Sequence, residues 1–212
     1  NTAAIQKAID QCSSQGGGVV LFSKGDYVTG TIELKSGVML EVRKGSRILG
    51  SKELEDYPEK IEQMGSVMRE YYEFRQSLIY AEKCNNIGIR GAGEIYFRGE
   101  KKNFSSPQTT GKIVGRPLGI RQIECSNVVF QDIFLRNSAA WMINAVVCKD
   151  MLFDNVTIEN HANYNNDGLD PDGCRNVIVR NCFFNTEDDA MCLKGGSNIA
   201  SQNILIEDSR FI

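Results

Sequence analysis

Five segments of the chain set apolar residues at alternate positions behind a small or polar head. They are "CNNIGIRG" from Cys84, "CSNVVFQD" from Cys125, "CKDMLFDN" from Cys148, "CRNVIVRN" from Cys174 and "SQNILIED" from Ser201. The shared template is a small residue, a polar residue, Asn or Asp, and then apolar–x–apolar–x–Asn/Asp/Gly. Alternation such as Val177 with Val179, or Ile204 with Ile206, predicts short strands that turn one face inward. The Asn, Asp and Gly at both ends predict turns that accept left-handed backbone geometry. After a first interval of 41 residues, long enough for nearly two units, the heads recur at intervals of 23, 26 and 27. No amphipathic helix separates the units, which excludes a βαβ protein. A unit of two or three short strands cannot bury its apolar face alone and must stack on its neighbours. The pattern predicts an all-β fold, a right-handed parallel β-helix, with strands ~4.8 Å above one another.

The N-terminal segment has a different period. In "NTAAIQKAIDQCSS" the residues Ala3, Ile5, Ala8, Ile9 and Cys12 share one helical face, with Asn1 or Thr2 available as a cap. This predicts a helix over residues 1–15, stopped by the glycines at 16–18 and placed to cover the end of the stack. "VVLF", "DYVTG", "TIELKSGVMLEV" and "SRILGS" then read as strands. Residues 52–75 and 98–115 break the repeat and read as long loops forming groove walls. All 212 residues fit a single β-helix domain, and the abrupt opening on "NTAAIQKAID" reads as the interior of a longer protein.

Composition narrows the function. The formal net charge of −3, with both signs interspersed, gives no nucleic-acid or anionic-membrane footprint. No stretch approaches the ~20 apolar residues of a membrane span. The seven cysteines form no C-x-x-C pair and read as buried free thiols. With one histidine, the chain offers few partners for zinc, and neither metal nor cofactor is expected.

Candidate chemistry concentrates in two acidic stretches, "NYNNDGLDPDG" at 163–173 and "NTEDDAMCLKGG" at 185–196. Asp167 and the pair Asp188–Asp189 lie about one coil apart in sequence, so stacking should bring them onto adjacent coils. Converging carboxylates repel, and at least one should have a raised pKa. That splitting yields one proton donor and one ionised base, the division used in glycosidic cleavage. The competing reading is that Asp and Asn merely fill turns. From spacing alone, both remain open.

"NNDGLDPDGCRNV" followed by "NTEDDAMCLKGG" resembles the polygalacturonase family, glycoside hydrolase family twenty-eight. "NTAAIQKAIDQCSSQGGGVVLF", "GAGEIYFRG", "GRPLGIRQIECSNV" and "RNSAAWMINAVVCKDMLFDNVTI" match further family blocks in order, so the resemblance covers most of the chain. It implies that Asp188 is the general acid and that Asp167 and Asp189 activate the attacking water. It also implies inversion at the anomeric carbon, with carboxylates ~6.5–9.5 Å apart. Asn165 matches a residue that contributes to substrate subsites. Asn166 stands where Thr is usual, Glu187 where Gly often precedes the pair, and Ala190 where Cys often follows it. The family's later Gly–His–Gly and Arg–x–Lys blocks do not occur, and the chain reads as an N-terminal and central fragment.

Other residues carry two readings. Lys194 either borders the sugar site or is a solvated turn lysine. Asp170 and Asp172 read as turn and ladder residues. His161, six residues before Asp167, lies near the groove or simply on the surface. Trp141 lines the cleft or packs the core. Arg116 and Arg121 could pair with a sugar carboxylate. The resulting expectation is an inverting hydrolase of galacturonan or rhamnogalacturonan, secreted or periplasmic, acting as a monomer. A β-helix polysaccharide lyase and a non-catalytic glycan-binding β-helix are the alternatives.

Overall fold

The computed structural model describes residues 1–60, 75–105 and 115–212. Among them are one α-helix and three parallel sheets. The first sheet stacks seven strands: Gly18–Phe22, Val38–Val42, Asn85–Arg90, Ser126–Gln131, Lys149–Asp154, Arg175–Arg180 and Gln202–Glu207. A second seven-stranded sheet runs from Gly25–Thr29 to Arg210–Phe211. The third holds Ile32–Glu33, Ser77–Glu82, Leu118–Ile123, Ile143–Val146 and Leu169–Asp172. Each of the first five coils contributes one strand to each sheet in turn, and the last two contribute to the first and second sheets only, giving the right-handed parallel β-helix that the repeat pattern predicts. The five repeat segments all lie on the first sheet, in register with one another.

The template residues explain the winding. Its third residue (Asn86, Asn127, Asp150, Asn176 and Asn203) has φ between 52° and 57° in every unit. Its last residue is at positive φ as well, from 46° at Asp208 to 108° at Gly91. Asn and Asp tolerate this left-handed region better than other side chains, and here they also bond along the stack. Asn176 Nδ2 donates to Asp150 Oδ1 at 2.8 Å, and Asn203 Nδ2 donates to Asn176 Oδ1 at 3.0 Å. Asn176→Ala is expected to lower the unfolding free energy by ~1–2 kcal/mol, the cost of the left-handed conformation to an ordinary residue. Asn176→Gly should lose less, since Gly enters that region freely. Urea unfolding checks both, and equal losses would refute the backbone explanation.

The core fills the space between the sheets. Val177 and Val179 face inward and are fully buried, and Phe130 stacks flat on Phe153 with ring centres 4.9 Å apart. Cys84, Cys125, Cys148 and Cys174 are buried free thiols on successive coils. Ile204 and Ile206 continue the rows of Val177 and Val179. Ile206 is nonetheless exposed, because no described strand pairs beyond Gln202–Glu207.

The helix spans Thr2–Ser14 and seats Ile5 and Ile9 against the first coil. Asn1 makes no side-chain capping bond. Thr2 instead accepts the Gly30 N–H at 2.9 Å, tying the helix to the coil it covers. "TIELKSGVMLEV" divides into Ile32–Glu33 and Val38–Val42, which belong to different sheets. The break comes at the turn through Gly37, where φ is 79°. Of the expected long loops, residues 61–74 and 106–114 lie outside the described residues. At 54–56 a short 3₁₀ turn precedes Tyr57, which is buried and donates to the Ser51 carbonyl at 2.7 Å. No described helix is long and apolar enough to cross a membrane.

Candidate active site

The two acidic stretches meet where the segment after Thr157–Asn160 crosses to Leu169–Asp172 and the next coil passes beside it. The contact is made by backbone: Gly168 N–H donates to the Asp189 carbonyl at 2.9 Å, and Leu169 N–H to the Ala190 carbonyl at 3.1 Å. A side chain at Gly168 would put its Cβ 2.4 Å from the Ala190 oxygen, so only glycine admits this approach. Asp167, Asp188 and Asp189 each place a carboxylate oxygen within 4.8 Å of the other two. Asp167 is buried, while Asp188 and Asp189 are exposed. Close carboxylates are common on protein surfaces, and their proximity alone carries no metal assignment.

A network of buried amides shapes the Asp167 segment. Asn160 Nδ2 donates to the Asp167 carbonyl at 2.9 Å and to Ser138 Oγ at 2.9 Å. Asn166, the position where Thr is usual in the resemblance, is fully buried and donates to the carbonyls of Ser138 and Ala140, both at 3.0 Å. Asn163 reaches across to the carbonyls of Gly99 and Phe104. Each amide satisfies carbonyls that the crossing leaves without sheet partners, a condition for burying an irregular segment.

Asp188 and Asp189 sit in the turn after Phe183–Thr186. Asp189 N–H donates to Asp188 Oδ1 at 3.0 Å, which folds the Asp188 carboxylate back on its own backbone. The nearest oxygens of Asp167, Asp188 and Asp189 lie within 4.8 Å of one another, closer than the ~6.5–9.5 Å expected of an inverting pair.

Lys194 is bound on three sides. Its ammonium lies 3.1 Å from Asp167 Oδ2, 3.1 Å from Asp170 Oδ1 and 4.3 Å from the centre of the Trp141 ring. Trp141 is itself buried. Burial acts to lower the Lys194 pKa, and the carboxylates of Asp170 and Asp167 outweigh it, so the ammonium is held firmly charged. Burial raises the Asp167 pKa, with Asp188 and Asp189 adding to the rise and Lys194 opposing it. Asp170 is pushed well above its ordinary value, by burial first and by Asp167 second.

The remaining sequence candidates are spread around this centre. Arg116 is buried, with one guanidinium nitrogen donating to Asn165 Oδ1 at 2.9 Å and another to the Tyr164 carbonyl at 2.5 Å. It therefore holds the Asn165 segment in place. Asn165 has φ of 52° and is half-buried. His161 is exposed, and its Nε2 lies 2.8 Å from Asn185 Oδ1. Arg121 is fully buried on the third sheet. Asp172 is fully buried and accepts the Ser197 N–H at 3.0 Å. The sequence reads Asp170 as a turn or ladder residue, and the fold places it against Lys194. The signal for Asp170 was its place three residues after Asp167 on a strand whose outward row continues through Asn144 to Arg121.

The family model for Glycosyl hydrolases family 28 matches residues 19–210. A polygalacturonase of Ralstonia solanacearum is 24% identical over 257 aligned residues, covering 100% of this chain and 48% of its own length. Among solved structures, the polygalacturonase from Erwinia carotovora ssp. carotovora superposes with a TM-score of 0.85. It is 23% identical, and the match covers 99% of this chain and 59% of that one. The exopolygalacturonase from Thermotoga maritima gives 0.82 at 24% identity, covering 100% and 56%. At these identities the superpositions show the fold. The chain spans less than half the length of the curated relatives it matches. With the family model spanning nearly the whole chain, the chain belongs to the glycosyl hydrolases family 28.

Proposed function

We propose that the protein hydrolyses a pectic polysaccharide, with a galacturonan backbone as its first substrate class and a rhamnogalacturonan backbone as its second. The observation that carries this reading is the convergence of Asp167, Asp188 and Asp189 at one junction between coils, in a family 28 stack. Burial raises the Asp167 pKa, and the neighbouring carboxylates of Asp188 and Asp189 add to the rise. Asp188, exposed at the turn, gives a proton to the leaving oxygen. Asp167 and Asp189 orient and deprotonate the attacking water on the opposite face. Rotation of Asp188 out of its bond to the Asp189 N–H opens the gap that inversion requires. The substrate class places the protein outside the cytoplasm, secreted or periplasmic.

Incubating the intact protein with polygalacturonate is expected to release new reducing ends without an unsaturated, ultraviolet-absorbing product. NMR of the first-formed sugar should show the inverted anomer. Unsaturated product would replace this reading with a lyase, and retained anomer would refute the water-attack assignment. Binding to both pectic backbones without cleavage would make the groove a glycan-binding surface.

A further inference from the structure

One cation serves two buried carboxylates beside the proposed site. Lys194 Nζ is 3.1 Å from Asp167 Oδ2 and 3.1 Å from Asp170 Oδ1. Asp167 is 2% exposed and Asp170 0%. With both ionised, a negative charge would remain uncompensated where water scarcely reaches, a state that groups of this kind escape by taking up a proton. The oxygens record the same deficit. Among the described residues, Asp167 Oδ1 and Asp170 Oδ2 are buried with no hydrogen-bond donor, and Asp170 Oδ1 has only the Lys194 ammonium, at 3.1 Å. The two carboxyl groups converge on the same Lys194 ammonium, each with one oxygen 3.1 Å from it. A single proton between them supplies the missing donor and leaves one charge for one lysine.

We propose that a proton is held between Asp167 and Asp170, so that Asp170 is a neutral donor to the Asp167 carboxylate. Asp167 is also faced by Lys194, Asp188 and Asp189. Around Asp170, Asn144 Nδ2 donates to the main-chain carbonyl at 3.4 Å, and Arg121 lies two strands away in the same row. Asp172 follows on the same strand, and Cys192 adjoins Lys194. On the hydrolytic reading above, Asp170 is a positioning residue. It aims the base and adds no charge against it.

The test compares thermal unfolding of the parent and Asp170→Asn, whose amide is neutral and still carries an N–H donor. A folded-state carboxyl that keeps its proton favours the native chain below the unfolded-state pKa and loses that advantage as the pH rises. The parent is therefore expected to fall behind Asp170→Asn by about 3–5 °C per pH unit above about pH 4. A gap that stays flat to about pH 7 overturns the proposal. Infrared spectroscopy of the parent alone at neutral pH should show the carbonyl stretch of an un-ionised carboxylic acid, and its absence also overturns it.

On polygalacturonate, the acidic limb of kcat/KM should stay within about 0.3 pH unit in Asp170→Asn. In Asp170→Ala, which has no donor, it should rise by about one unit. An ionised Asp170 would instead let the limb of Asp170→Asn drop by about a unit, and that drop overturns the proposal. An unmoved limb in Asp170→Ala removes the positioning role. If the parent fails to hydrolyse, the functional reading falls and the unfolding experiments still decide where the proton is.

Discussion

Asp188→Asn is expected to slow hydrolysis of polygalacturonate by about 10²–10⁴-fold, the usual contribution of a positioned general acid, and to leave the fold intact. The carboxamide cannot deliver a proton to the leaving oxygen. It can still accept the Asp189 N–H, the one bond through which the Asp188 carboxylate supports its turn among the described contacts. Because Asp188 is exposed, its substitution removes no core packing. The circular dichroism melt should therefore superimpose on the parent's. An aryl glycoside substrate separates the acid from the base, because its leaving group departs without protonation. Asp188→Asn should recover most of its rate on such a substrate, whereas Asp189→Asn, which has lost part of the water-activating pair, should not. A loss under about tenfold on the polymer, equivalent to ~1.4 kcal/mol of barrier, would take the acid's role away from Asp188.

Phe153→Ala is expected to lower the unfolding free energy by about 3–5 kcal/mol, the range for deleting a large aromatic from a packed core. Phe153 is fully buried on the first sheet's inward face, with its ring 4.9 Å from that of Phe130 and 4° from parallel to it. The strands on either side are fixed by hydrogen bonds in register, so the stack cannot collapse sideways to fill the void. Ile178, on the outward face of the adjacent strand, is the control. Being already 36% exposed, it should lose under about 1 kcal/mol when changed to Ala, mostly strand propensity. Denaturant unfolding of both variants checks the contrast, and similar losses would mean that the inward face is not where the stability resides.

The first sheet was legible in the sequence because two signals coincide there. Apolar residues alternate, and Asn or Asp sits where the chain must turn left-handed, as at Asn127 and Asp132. The third sheet was much less legible. Its strand Leu169–Asp172 reads "LDPD", which has the composition of a turn. It pairs as a strand because Asn144 and Val146 of the neighbouring coil lie in register with Asp170 and Asp172. The same composition hid Asp170, whose burial and shared lysine come from residues distant in sequence. Asp167, Asp188 and Asp189 could be singled out by their spacing, but their 4.8 Å cluster rests on Gly168 and on a buried amide network that no local pattern announces. Arg116 illustrates the opposite case. Its residue type suggested a sugar carboxylate, and the fold directs its donors to Tyr164 and Asn165.

The in-register strands have a consequence for how such a chain can change. Asn85–Arg90 and Ser126–Gln131 are neighbours in the first sheet although their repeat heads lie 41 residues apart, and Ser126–Gln131 and Lys149–Asp154 are neighbours at 23. Residue count is therefore a free variable at the corners and a fixed one along the strands. Closing a corner of twice the length costs only ~0.6 kcal/mol of chain entropy, while a slip of one residue within a strand turns every core side chain outward. The stack behaves as a screw thread on which corner segments of any length can be exchanged while the strands keep their register.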